Sequence, residues 1–169
     1  MPSSSLDPVR KLGFAVFGRL PRRVRVLAVR AGTPGFTVGA LVLLQREGDR
    51  SSVLLVHQRH TRQWALPGGL LRRGEGAPDG VRREVREELG LVLDETETAH
   101  AVGVIIDPRP RRVDVLFAST LPADAPTPTP HHVEVNEVRW CSMGDLPAIT
   151  AITAQVLSEY EGLGLFGAG

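Results

Sequence analysis

GLLRRGEGAPDGVRREVREELGL, residues 69–91, reads as a glycine-bounded loop followed by a helix. Pro78 suits the first helical turn, where its missing N–H would find no intrahelical partner. Gly90 suits the position just past the end, where a left-handed backbone closes a helix. Between them, Val81, Val85 and Leu89 form an apolar stripe suited to a core. Glu84, Glu87 and Glu88 stand at i, i+3 and i+4, so they share a different face. Three carboxylates so close repel one another, and a solvated helix gains nothing from them. A divalent cation removes the conflict, and hard oxygen donors select Mg²⁺ or Mn²⁺ over Zn²⁺. Mg²⁺ completes its shell with water and substrate phosphates, so the acidic face points to phosphate chemistry. The competing reading is a salt-bridged amphipathic helix in which Arg82, Arg83 and Arg86 neutralise the acids.

A chain of 169 residues accommodates one domain and a short extra segment, and is long enough to bury a core. Its 42% hydrophobic and 23% charged residues place it among globular proteins. A net charge of +1 gives no whole-molecule attraction for nucleic acid. Of the 20 basic side chains only Lys11 is a lysine. Guanidinium forks suit phosphate and carboxylate recognition, although genomic base composition produces the same bias. Cys141 is the single cysteine, which excludes an intrachain disulfide, and beside Trp140 it reads as a buried, inert thiol. No apolar run approaches the ~20 residues a bilayer span needs. The apolar piece near Leu12–Val16 is short and interrupted by glycines, unlike a signal sequence. A reducing cytoplasm is the expected compartment.

Residues 1–35 read as a basic amphipathic arm. Arg10, Lys11, Arg19, Arg22, Arg23, Arg25 and Arg30 interleave with Leu12, Phe14, Val16, Phe17 and Leu20. Pro21 should divide it into two short helices, or a helix and an extended piece. Packing on the domain or on a second subunit, as in a homodimer, is the first expectation; contact with a membrane surface or RNA is the other.

Residues 36–162 read as the main domain and 163–169 as a loose, glycine-rich tail. Phe36–Gln45 and Ser52–Arg59 are expected as partner strands joined by a hairpin loop at Glu47–Ser51. After the helix, His100–Asp107 and Val113–Leu121 are expected as strands around a basic turn at Pro108–Arg112. Pro122–Pro130 holds four prolines and is expected as a mobile loop. His132–Cys141 is a further expected strand. Ser142–Asp145 resembles a capping box, and Pro147 is expected to open a helix to about Tyr160. Strands around one central helix, with a closing helix, give a mixed α/β class.

The opening stretch resembles the signature of the Nudix hydrolases, the MutT-like family. A glycine and five residues lead to Glu75; seven more lead to Arg83-Glu84-Val85; Glu87-Glu88 and Gly90-Leu91 follow at single-residue gaps. Gly80-Val81 is a mild departure, since many members carry alanines there. The resemblance covers about residues 36–160 and implies an α/β/α sandwich with a mixed β-sheet. It implies hydrolysis of a diphosphate bond in a nucleoside diphosphate linked to another group: a nucleoside triphosphate, ADP-ribose or a sugar nucleotide.

It also implies metal ligands at Glu84, Glu87 and Glu88, joined by the carbonyl of Gly69, and a structural ion pair between Glu75 and Arg83. In several members the general base is a glutamate outside the signature, before a tryptophan. Glu134 and Glu137 are the candidates here, of opposite parity along a strand, and Glu134 is preferred as nearer the proline loop. In other members a signature glutamate does this work, which would be Glu87.

Arg59, Arg62, Arg72 and Arg73 flank the signature, where an arginine can clamp a distal phosphate. Trp64 either stacks on a base or fills the core. The histidines form no zinc spacing. The arrays that mark NADH and coenzyme A subsets are absent, so the substrate stays open. Two other classes fit the same residues. One is a non-catalytic sensor whose arm binds nucleic acid or a partner. The other is an enzyme on capped RNA ends, with the arm tracking the phosphate backbone.

Overall fold

The computed structural model describes residues 17–33, 35–96, 98, 100–107 and 110–162. The chain divides into two compact units, Met1–Phe36 and Thr37–Gly169. In the first, helix α1 (Arg22–Gly32) follows a short helical turn at 17–19. Pro21 separates the two: its backbone is extended, at φ −53° and ψ 145°, while its carbonyl accepts the Val24 N–H at 2.9 Å. Thr33 ends α1, with both its N–H and its hydroxyl donating to the Val29 carbonyl. The arm before residue 17 and the 163–169 tail lie outside the described residues.

The second unit runs β1 (Thr37–Arg46), β2 (Ser52–Gln58), β3 (Trp64–Ala65), β4 (Gly68–Leu70), α2 (Ala77–Leu89), β5 (Gly103–Asp107), β6 (Arg112–Leu121), β7 (Val135–Ser142) and α3 (Ala151–Gly162). Four strands form a mixed sheet in the order β4-β1-β6-β5, in which β1 and β6 are parallel. Three form an antiparallel sheet in the order β3-β2-β7. Along β1, Ala40, Val42 and Leu44 face one way and pack with Val81, Val85 and Leu89 of α2. Leu41 and Leu43 face the other way and pack with Val156 and Leu157 of α3. The result is an α/β/α sandwich. Each fully buried Val or Leu contributes roughly 1.5–3 kcal/mol, so the apolar stripe of α2 fixes which face of the helix stays outside the core.

Four expectations change. The first two long strands are not a hairpin pair, because β1 is already hydrogen-bonded on both edges, to β4 and β6. No edge is left for β2, which goes to the other sheet, and only an Arg46–Asp49 bridge remains at the turn. The strand expected from His132 starts at Val135; His132 closes a turn by accepting the Val135 N–H at 3.0 Å. The last helix starts at Ala151, not Pro147. Ala148 and Thr150 are bonded to the Trp64 backbone, at 2.9 Å each, which holds 148–150 extended alongside β3. Thr150 then caps α3, its hydroxyl accepting the Thr153 N–H at 3.3 Å. Ser142 does not cap a helix; its hydroxyl accepts the Gly144 N–H inside a turn.

The expected helix α2 spans Ala77–Leu89 and closes at Gly90, whose φ of 67° is the left-handed conformation. Gly80 leaves room for Leu71, whose Cδ2 would lie 2.3 Å from any Cβ there. Among the described residues no helix is long and apolar enough to cross a membrane.

Candidate functional site

The acidic face of α2 forms one wall of a cleft of about 660 Å³. The short strand β4 (Gly68–Leu70) supplies the floor, and the start of α3 supplies part of the opposite wall through Thr150–Thr153. Gly68 makes the close approach possible. Its φ is 133°, and a Cβ would lie 2.2 Å from the Ala40 carbonyl oxygen. Gly69 leaves a cradle for Glu84, whose carboxylate would stand 2.6 Å from a Cβ at that position.

Glu88 is buried at 8% exposure, and its Oε2 accepts the Gly68 N–H at 3.0 Å. Burial pushes its carboxyl up to about 8, against the pull of that hydrogen bond, and the negative charges of Glu84, Glu134 and Glu87 add to the rise. Metal-free, the group holds its proton at neutral pH.

Arg83 organises the other acids. Its Nε and Nη2 grip both oxygens of Glu75, at 2.8 and 2.9 Å, while Nη2 also donates to the Leu70 carbonyl. Its Nη1 reaches Glu84 at 2.6 Å and Glu87 at 3.2 Å. The ion pair expected between Glu75 and Arg83 therefore ties the loop to α2. The guanidinium, helped by the Arg72 N–H, draws the Glu75 carboxyl down to about 2. Arg72 adds a 2.9 Å salt bridge to Glu87 across the cleft mouth.

Among the described residues no three acidic, thiol or imidazole side chains already converge as a ligand cluster. Glu84 and Glu87 are turned onto Arg83 instead. The donor chemistry nonetheless fits a hard divalent cation. It consists of carboxylate oxygens, one of them buried without a salt bridge and crowded by three like charges.

Glu134 lines the cleft from the turn before β7, where its carbonyl accepts the Arg59 N–H at 2.8 Å. Glu137 points elsewhere and is exposed, paired with Arg139 at 2.6 Å. The parity argument that separated the two does not apply, because Glu134 precedes the strand and the ladder slips between His57 and Gln58.

Of the arginines named from the sequence, Arg72 lines the cleft; Arg59 borders a smaller recess with Glu134, and Arg62 and Arg73 line neither. Trp64 is buried, with its ring 5.2 Å from His57 and the Arg139 guanidinium over it at 4.7 Å; its neighbours Ala65 and Leu66 reach the cleft wall.

Sequence reading missed Arg112, a third guanidinium lining the cleft beside Arg72 and Arg83, and Asp114, the buried carboxylate that holds it. The signal was there: in Arg112–Phe117 the acid falls on the same strand face as Leu116, where an unpaired charge would not be tolerated.

Comparisons with known proteins show what the chain is similar to. The family model described as NUDIX domain matches residues 35–160. A provisionally named 8-oxo-dGTP diphosphatase from Bacillus subtilis (strain 168) is 29% identical over 112 residues, which are 66% of this chain and 70% of that one. A provisionally named nudix hydrolase 1 from Caenorhabditis elegans is 35% identical over 63 residues, 36% of this chain but 17% of that protein's length. Among solved structures, an ADP-ribose pyrophosphatase from Streptococcus suis superposes with a TM-score of 0.56 at 25% identity, covering 75% of this chain and 92% of that one.

Proposed function

This chain belongs to the Nudix hydrolase family, and from that premise we propose that it cleaves a diphosphate bond in a nucleotide-type substrate with the help of Mg²⁺ or Mn²⁺. The residues to hold the cation are Glu84, Glu87 and Glu88, with the carbonyl of Gly69. The observation that carries this reading is Glu88. An acid buried beside three other carboxylates, in an open cleft, ionises at neutral pH without a large cost only when a cation joins it.

When bound, such a cation supplies Lewis acidity to the phosphate oxygens and lowers the pKa of water. The remaining work falls to the chain itself. The Gly68 N–H fixes the Glu88 carboxylate in one orientation. Arg83 anchors the loop through Glu75 and pairs with the Glu84 and Glu87 carboxylates. Glu134, on the cleft wall, is the group to accept the proton of the attacking water.

The relatives' names make 8-oxo-dGTP and ADP-ribose the first substrates to test, followed by nucleoside triphosphates and sugar nucleotides. The test is product release from these compounds in Mg²⁺, with a chelated control. Metal-dependent turnover of at least one supports the reading. Binding of ADP-ribose with no hydrolysis of any would instead favour the non-catalytic sensor.

A further inference from the structure

Among the described residues, three guanidinium groups line the cleft: Arg72, Arg83 and Arg112. The first two are engaged by the acids that the proposed cation needs, Arg72 by Glu87 and Arg83 by Glu84 and Glu87. Arg112 differs. Its counter-ion is Asp114, two residues along β6 and outside the acidic face. Asp114 is 1% exposed and Arg112 keeps 28% of its side chain open. The Asp114 carboxylate accepts both Nε and Nη2, at 2.7 Å each. This two-point grip orients the guanidinium plane as a single bond would not.

Space for the pair is provided by Gly39, directly across the β1–β6 ladder from Asp114. A Cβ at Gly39 would stand 2.3 Å from the Asp114 Oδ1, 3.1 Å from the Arg112 Nη2 and 3.0 Å from the Gly69 carbonyl oxygen. The held guanidinium therefore lies beside β4, which forms the cleft floor.

We propose that Arg112 is a phosphate-binding residue of this site and that Asp114 is its positioning residue. A free arginine in an acidic cleft collapses onto the nearest glutamate, as Arg72 and Arg83 do. The buried aspartate prevents that collapse, so one cation stays directed at substrate whatever the state of the glutamates. This rests on the diphosphate reading above, and it adds a charge-bearing contact that the signature stretch does not contain.

Removing Arg112 alone would leave Asp114 as an unpaired buried charge and risks unfolding. The informative variant is R112Q/D114N, which keeps an amide-to-amide hydrogen bond and removes both charges. The probe is inorganic pyrophosphate with Mg²⁺, followed by calorimetry, alongside the KM and kcat of ADP-ribose and 8-oxo-dGTP hydrolysis. The expected result is a melting temperature within a few degrees of the parent and at least about tenfold weaker pyrophosphate binding, the scale of one charge-assisted hydrogen bond. KM should rise by a similar factor with kcat nearly unchanged. Equal pyrophosphate affinity in a folded variant, or a loss confined to kcat, would overturn the proposal. If the parent hydrolyses neither nucleotide while pyrophosphate binding still falls, the reaction assigned to the site is wrong and the clamp stands.

Discussion

Gly68 and Glu88 meet at the base of the cleft, with the glycine N–H donating to the buried carboxylate at 3.0 Å. That bond joins the start of β4 to the last turn of α2, twenty residues further on. It holds the most deeply placed acid of the helix face in one position before any ligand arrives. The glycine's left-handed backbone lets β4 come this close, since a side chain there would strike β1.

Replacing that acid separates its two effects. In E88Q the amide keeps an acceptor for Gly68 but loses the charge. Turnover is expected to fall by at least about 100-fold, the scale of several kcal/mol of Lewis-acid stabilisation. Stability of the metal-free protein is expected to rise at pH 8 and above. The Glu88 carboxyl is raised from 4.5 to about 8, so its favourable contribution is complete below about 4.5 and is lost as pH rises through about 8. Melting temperatures across that range should decline for the parent and decline less for E88Q.

Cation uptake should carry a proton signature for the same reason. At pH 7 the metal-free Glu88 is protonated, so binding Mn²⁺ requires its release. Calorimetry in two buffers of different ionisation enthalpy should report proton release at pH 7 and little at pH 9, with affinity rising between them. Identical heats in both buffers at pH 7 would contradict the arrangement.

Glu75 has the opposite sign. Its carboxyl is drawn down to about 2, first by the hydrogen bonds from Arg83. The stability it lends is present above about 4.5 and is lost as pH falls towards 2. E75Q should lower the melting temperature at pH 7 and flatten the acid limb of the stability curve. It should also lower activity by loosening the loop.

The two candidate bases are separable by one substitution each. Glu134 lines the cleft, whereas Glu137 is paired with Arg139 on the outside. E134Q should cut kcat by about 100-fold, the low end for general base catalysis, and E137Q should stay within about twofold. The reverse order would transfer the base to β7 or to the helix.

The helix and its neighbourhood were legible because each of their features follows from local rules. Pro78 and Gly90 bracket α2, and Val81, Val85 and Leu89 pack into the core and leave Glu84, Glu87 and Glu88 on the cleft-facing side. Strand pairing was less legible. The run Ala40–Leu44 shows that β1 is buried on both faces, but not which strands occupy its edges, because those partners lie far along the chain. The start of α3 was misjudged since the backbone of 148–150 is taken up by Trp64, a contact about 85 residues distant that no capping pattern announces. Arg112 was passed over as one arginine in a basic turn. The parity of Asp114 hints at a partner, but the place of the pair beside the cleft floor comes from Gly39 and Gly69 meeting it in space.

The most direct test of the cation-holding face is anomalous diffraction from crystals grown with Mn²⁺ and a non-hydrolysable diphosphate. The expected result is a manganese peak among the carboxylates of Glu84, Glu87 and Glu88, with Glu84 and Glu87 rotated off Arg83 to meet it. A fully occupied diphosphate with no peak there, and those two side chains still bound to Arg83, would contradict it.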